Sequence, residues 1–184
     1  MLEVEQGIGE AKLLEILGDL PDFLSSGARL ADLNGQDREK TNAQLEAAYT
    51  YAYGLYQQKR YGEAGFFFAF LTLQDHLDIR YWNGLGGTQQ MQKQYKEAID
   101  SYGMVVMYDL GNPLPCYRIA ECLMALGEYD DAELVLKSVV EFANTDSDAH
   151  TSIKRRAESV STLLENARQK DQKAAHGDQP SDTK

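Results

Sequence analysis

The sequence predicts an all-α fold built from three stacked helical hairpins, flanked by a helix at each end. Three observations carry that expectation. Tyrosine–alanine pairs stand in one register at Tyr61 and Ala64, Tyr95 and Ala98, and Tyr129 and Ala132, and successive pairs are 34 residues apart. That interval suits a helix, a turn and a second helix, a unit that buries its apolar face only by stacking on a neighbour. Small residues recur at matched sites, Ala52 with Ala64, Gly86 with Ala98 and Ala120 with Ala132, where two helices approach closely. A larger side chain at such a site costs about 1–3 kcal/mol in overpacking. Finally, both flanks show apolar residues at helical spacing.

In order along the chain, residues 1–40 form an N-terminal helical segment. Val4, Ile8, Ala11, Leu14 and Leu17 fall at spacings of three and four, which predicts an amphipathic helix over 3–20, limited by Pro21. A short segment from Phe23 to Leu33 closes on Asn34-Gly35, a turn signal. Thr41 or Asn42 offers an N-cap to the next helix. A tetratricopeptide-repeat domain over 41–168 follows, with repeats at about 45–78, 79–112 and 113–146 in a right-handed superhelical stack. In the second repeat Trp82, Leu85 and Gly86 fill the consensus of the first helix, and Tyr95, Ala98 and Tyr102 that of the second. Gly127 supplies the turn of the third hairpin, whereas Lys59 and Lys93 replace glycine in the other two. A capping helix is expected over 148–168, with Ile153, Ala157, Val160, Leu163, Leu164 and Ala167 on one face. The polar tail over 169–184 is expected to be disordered.

Composition excludes several function classes. The net charge of −11 arises almost entirely before residue 143 and repels phosphate backbones, so nucleic-acid binding is not expected. No apolar run reaches the roughly 18 residues of a membrane span. Residues 1–20 carry Glu3, Glu5, Glu10 and Glu15 where a secretion signal needs basic residues, so the expected compartment is the cytoplasm and no membrane insertion is expected. Cys116 and Cys122 read as small apolar side chains of one helix, with a regulatory thiol as the alternative.

The sequence holds no constellation for catalysis. His76, His150 and His176 lack metal-ligand spacing, no serine or cysteine stands in a nucleophile motif, and Gly84-Leu85-Gly86-Gly87 falls within a helix, away from any strand-to-helix turn. Neither an enzyme activity nor a metal or cofactor is expected. The chemistry-bearing residues are instead aromatic. In this repeat, positions 2, 5, 9 and 12 of each first helix face the concave side. Tyr49, Tyr53 and Tyr56 take positions 5, 9 and 12 of the first repeat, on one helical face. Asn83, Gly87 and Gln90 take corresponding places in the second, with Met91 beside them, and Leu114, Tyr117, Glu121 and Met124 in the third. Glycines at Gly84 and Gly87 are expected to deepen the trough. Each tyrosine offers about 150–250 Å² of contact area. An uncharged aromatic trough suits an extended, proline-containing apolar segment, whose stiffness reduces the entropy lost on binding. The alternatives are that these rings pack on the chain's own N-terminal segment, or that the repeats form a general scaffold joining folded proteins.

Several of these stretches resemble one family. Tyr49-Thr-Tyr-Ala-Tyr-Gly-Leu-Tyr56, Arg60-Tyr61-Gly-Glu-Ala64, Gln74-Asp75-His76, Tyr81-Trp82-Asn-Gly-Leu-Gly86, Tyr95-Lys-Glu-Ala-Ile99 and Ala120-Glu-Cys-Leu123 resemble, in this order, the class II chaperones of bacterial type III secretion, the SycD/LcrH type. The resemblance covers roughly residues 20–165. It implies a cytosolic chaperone that holds an extended segment of hydrophobic translocator proteins in its groove. The matching groove positions are Tyr49, Tyr53, Tyr56, Tyr61, His76, Tyr95 and Tyr102, to which the concave register adds Tyr117. It also implies a homodimer through the N-terminal helix, for which the Val4–Leu17 stripe is the corresponding surface, and leaves a transcriptional activator open as a further partner.

Overall fold

The computed structural model describes residues 35–143 and 147–176. The expected helix over 3–20, the segment before Gly35, the link over 144–146 and residues 177–184 lie outside them. The described residues form seven α-helices: α1 (Gly35–Gln57), α2 (Tyr61–Gln74), α3 (Ile79–Met91), α4 (Tyr95–Tyr108), α5 (Pro113–Leu126), α6 (Tyr129–Phe142) and α7 (Asp148–His176). The all-α hairpin class matches expectation.

The 34-residue register is visible in the backbone itself. Tyr61, Tyr95 and Tyr129 each open the second helix of a hairpin. The preceding turns share one construction. Lys59, Lys93 and Gly127 all adopt positive φ, at 62°, 63° and 82°. Their amides donate to Tyr56, Gln90 and Met124, and the next amides, of Arg60, Gln94 and Glu128, reach back to Leu55, Gln89 and Leu123 at 2.9–3.0 Å. This paired closure satisfies carbonyls that a helix end leaves without partners. Two lysines therefore hold a left-handed conformation that costs L-residues roughly 1–2 kcal/mol. The first helices of repeats two and three start alike: Asp78 accepts from the Arg80 amide at 2.9 Å, and Asn112 from the Leu114 amide at 3.0 Å.

The described chain divides between Gln94 and Tyr95 into two compact units. In the first, α1 packs on α2 and α2 on α3. Leu45, Ala48, Ala52, Leu55, Ala64, Phe68, Leu71 and Tyr81 form its core. In the second, α4, α5, α6 and α7 pack in succession. Tyr117, Ala120, Leu136, Val139 and Ala157 form one cluster there, and Ala98, Tyr102 and Cys122 another. Ala52, Ala64, Ala98, Ala120 and Ala132 are wholly buried, as their place in the register requires.

Two boundaries differ from expectation. Helix α1 starts by Gly35 and passes straight through Thr41 and Asn42, so neither is a cap. Gln36-Asp-Arg-Glu-Lys40 holds no breaker, and a helix that needs no stop there continues. Helix α7 runs to His176, past the expected end at Arg168. Gln169-Lys-Asp-Gln-Lys-Ala-Ala175 has high helix propensity without apolar periodicity, and the first breaker is Gly177.

Candidate functional site: tyrosines of the first repeat helix

Helix α1 carries Tyr49, Tyr53 and Tyr56 at spacings of four and three, so the rings share a face. Tyr49 and Tyr53 lie near-parallel, with centroids 6.4 Å apart and planes 22° apart. Tyr49 is half-buried because two other helices press on it. Phe68 of α2 meets it edge-on at 6.1 Å, and Tyr81 of α3 lies tilted against it at 5.8 Å. Among the described residues no ring of α2 or α3 meets Tyr53, which stays 50% exposed. Tyr56 meets Tyr61, the first residue of α2, edge to face at 5.4 Å, which pins the start of α2 against α1. A chain of rings thus runs from the core at Phe68 out to solvent at Tyr53. Edge-to-face pairs of this kind add about 0.5–1.5 kcal/mol beyond burial.

Arg80 completes this face. Its guanidinium carbon stands 4.9 Å from the Tyr49 centroid and 5.7 Å from that of Tyr81. Asp78 holds it at 2.6 Å, and Glu46 of α1 takes it through both carboxylate oxygens, one at 3.1 Å. Hydrogen bonds donated to Asp78, then to Glu46, raise the Arg80 pKa further above its ordinary value. Burial raises the phenols of Tyr49 and Tyr81, so both stay neutral donors. Arg80 was missed in the sequence although a signal existed. Glu46 and Arg80 both take position 2 of a first helix, one repeat apart, and opposite charges there predict a rung between adjacent units.

The other expected residues fall differently. His76 is an exposed loop residue whose carbonyl accepts the Trp82 indole N–H at 2.8 Å, so the consensus tryptophan fastens the α2–α3 loop. In the second unit Tyr95 is half-buried against Ala98, Tyr102 and Cys122. Tyr102 and Tyr117 are only 4% and 5% exposed. That corrects the expectation of open groove rings at these two positions, whose share is structural. Gly84 is also corrected. A Cβ there would stand 2.3 Å from the Phe68 ring, so this glycine admits Phe68 between α2 and α3 instead of deepening a trough.

Cys116 and Cys122 are free thiols. Burial pushes Cys122 up to about 11 and raises Cys116, which makes both poor nucleophiles. Among the described residues, no three His, Cys, Asp or Glu side chains gather as a metal site would, and no helix is long and apolar enough to cross a membrane.

Repeating helical hairpins with an exposed aromatic face define a tetratricopeptide-repeat protein, and models of that repeat match residues 45–76 and 90–157. Relatives narrow the class. The low calcium response locus protein H of Yersinia pestis is 36% identical over 114 residues, covering 62% of this chain and 66% of that protein. The type III secretion chaperone SycD of Yersinia enterocolitica, crystallised with a peptide of the translocator YopD, superposes with a TM-score of 0.64 at 30% identity, over 68% of this chain and 95% of that one. PcrH in complex with the chaperone-binding region of PopD gives a TM-score of 0.64 at 29% identity, over 74% and 97%. The chain belongs to the family of type III secretion translocator chaperones.

Proposed function

We propose that this protein is a non-enzymatic cytoplasmic chaperone that holds an extended apolar segment of hydrophobic translocators against the tyrosine face of α1. The single observation that carries the site is the ring series Tyr49, Tyr53 and Tyr56, anchored at one end by Phe68 and Tyr81 and open at the other. Tyr53 offers a free ring, Tyr49 a fixed wall, and Arg80 holds that wall in place. A stiff proline-containing segment laid along this face loses little entropy, and tyrosine hydroxyls bond its backbone. Relatives crystallised with translocator segments, YopD on SycD and PopB or PopD on PcrH, support this choice of guest. Tyr61 and Tyr95 serve the fold first, and His76 contributes its exposed ring at the loop edge.

An alternative reading, a scaffold for folded partners, draws on Phe66 and Leu73 of α2, which are 63% and 76% exposed. Self-association is a further part of the proposal, since SycD has been crystallised as a dimer. The Val4–Leu17 stripe expected to serve it lies outside the described residues, and a transcriptional activator remains a proposed second partner on family resemblance alone. Co-expression with candidate translocators tests the chaperone reading: the translocator becomes soluble and co-purifies. A translocator that still precipitates beside well-expressed, folded chaperone would argue against it.

A further inference from the structure

A second recognition feature stands in the C-terminal unit, apart from the tyrosine face. Along α7, Ser152 stands three and four residues before Arg155 and Arg156, which stand four before Ser159 and Val160, and with Tyr117 of α5 these residues line an open pocket of about 310 Å³. The Arg156 guanidinium stands 5.0 Å from the Tyr117 centroid. That ring is buried in the core and cannot turn away, so it orients the guanidinium before anything binds. Both arginines are exposed, and among the described residues neither makes an ion pair. The other arginines with described side chains, Arg60, Arg80, Arg118 and Arg168, are all engaged by carboxylates. The nearby carboxylate on α5, Glu121, is taken by Arg118 at 2.8 Å.

Two neighbouring arginines that make no ion pair among the described residues are an exception on a chain of net charge −11. Like-charge repulsion between them is relieved when an anion sits between their N–H forks. Ser152 brings a hydroxyl to the rim, whereas the Ser159 hydroxyl is spent on the Arg155 carbonyl at 2.9 Å. Val160 and the Tyr117 ring add an apolar floor beside the charge. A long polyphosphate would meet the acidic remainder of the surface, but a peptide bringing one or two carboxylates meets little of it. We infer that the α5–α7 cleft binds a carboxylate of an acidic segment of a partner polypeptide, with Arg155 and Arg156 as its ligands and Tyr117 as the platform.

The site is tested on the full chain by fluorescence anisotropy with a labelled glutamate-rich peptide and its glutamine counterpart. The glutamate peptide binds, salt weakens it, and the glutamine peptide does not bind. Arg155→Gln with Arg156→Gln lowers affinity by about tenfold or more, because charge-assisted bonds are lost. Arg156→Lys, which keeps the charge but loses the planar fork and the ring contact, lowers it by a smaller factor, and Lys96→Gln on α4 leaves it unchanged. Equal binding of the glutamine peptide, wild-type affinity in the double variant or in Arg156→Lys, or more effective competition by inorganic phosphate or single-stranded oligonucleotide would each overturn the assignment. Binding of an apolar translocator segment, measured in the same variants, reads out the tyrosine face separately, so failure of one site is distinguishable from failure of the other.

Discussion

Arg80 lies over the Tyr49 ring at 4.9 Å while its guanidinium N–H groups are held by Glu46 and Asp78. One residue of α3 thereby packs on a tyrosine of α1, and the tyrosine face is presented by three helices together.

Replacing Arg80 tests that link. Arg80→Lys keeps a charge but cannot engage two carboxylates and a ring at once. The pair is largely solvated, so thermal stability falls by only about 0.5–1 kcal/mol. Guest affinity falls as well, since Tyr49 is no longer held. Urea unfolding beside calorimetry with a translocator segment separates the two effects.

The turn lysines give a prediction of opposite sign. Lys59→Gly and Lys93→Gly remove left-handed strain and each raise stability by about 0.5–1 kcal/mol, after the entropy glycine costs in the unfolded chain. Gly127→Lys, at the equivalent turn, lowers it by a similar amount. Denaturant midpoints at unchanged slope check all three.

Gly84→Ala drives a methyl into the Phe68 ring, which is buried and has nowhere to go. Overpacking of about 1–3 kcal/mol is set against the roughly 1 kcal/mol of helix propensity gained, so the net change is a loss of about 0–2 kcal/mol. Phe68→Leu in the same chain recovers part of it, read from the melting temperature of the double variant against each single one.

These residues also mark what the sequence made legible. Hairpin starts, turn positions and buried alanines repeat every 34 residues, and a periodic constraint on backbone and close approach is written directly in residue size. Exposure is not periodic in that way. Tyr53 and Tyr117 both take concave-register positions, the ninth of the first repeat and the fifth of the third, yet one is open and the other is covered by α6 and α7. Which helix lies over a ring depends on contacts distant in sequence. The role of Gly84 was hidden for the same reason: its partner Phe68 lies on another helix. The ends of α1 and α7 were misplaced because propensity alone carries those turns, with no apolar stripe to mark them.

Thiol chemistry follows burial. Cys122, with its pKa pushed up to about 11 against an ordinary 9.0, carries about a hundredfold less thiolate near neutral pH than an unperturbed thiol. Its alkylation by iodoacetamide in the native protein is slower than in urea by at least that factor. Mass spectrometry of timed samples measures it, and equal rates in both states would show that the thiol is open.

The central claim is that the α1 tyrosine face grips an extended apolar guest. Calorimetry of Tyr53→Ala with a proline-containing translocator segment tests it most directly, because Tyr53 is exposed and its loss leaves the core intact. The account predicts a loss of about 1–3 kcal/mol in binding with unchanged helix content. Wild-type affinity in the folded variant would contradict it.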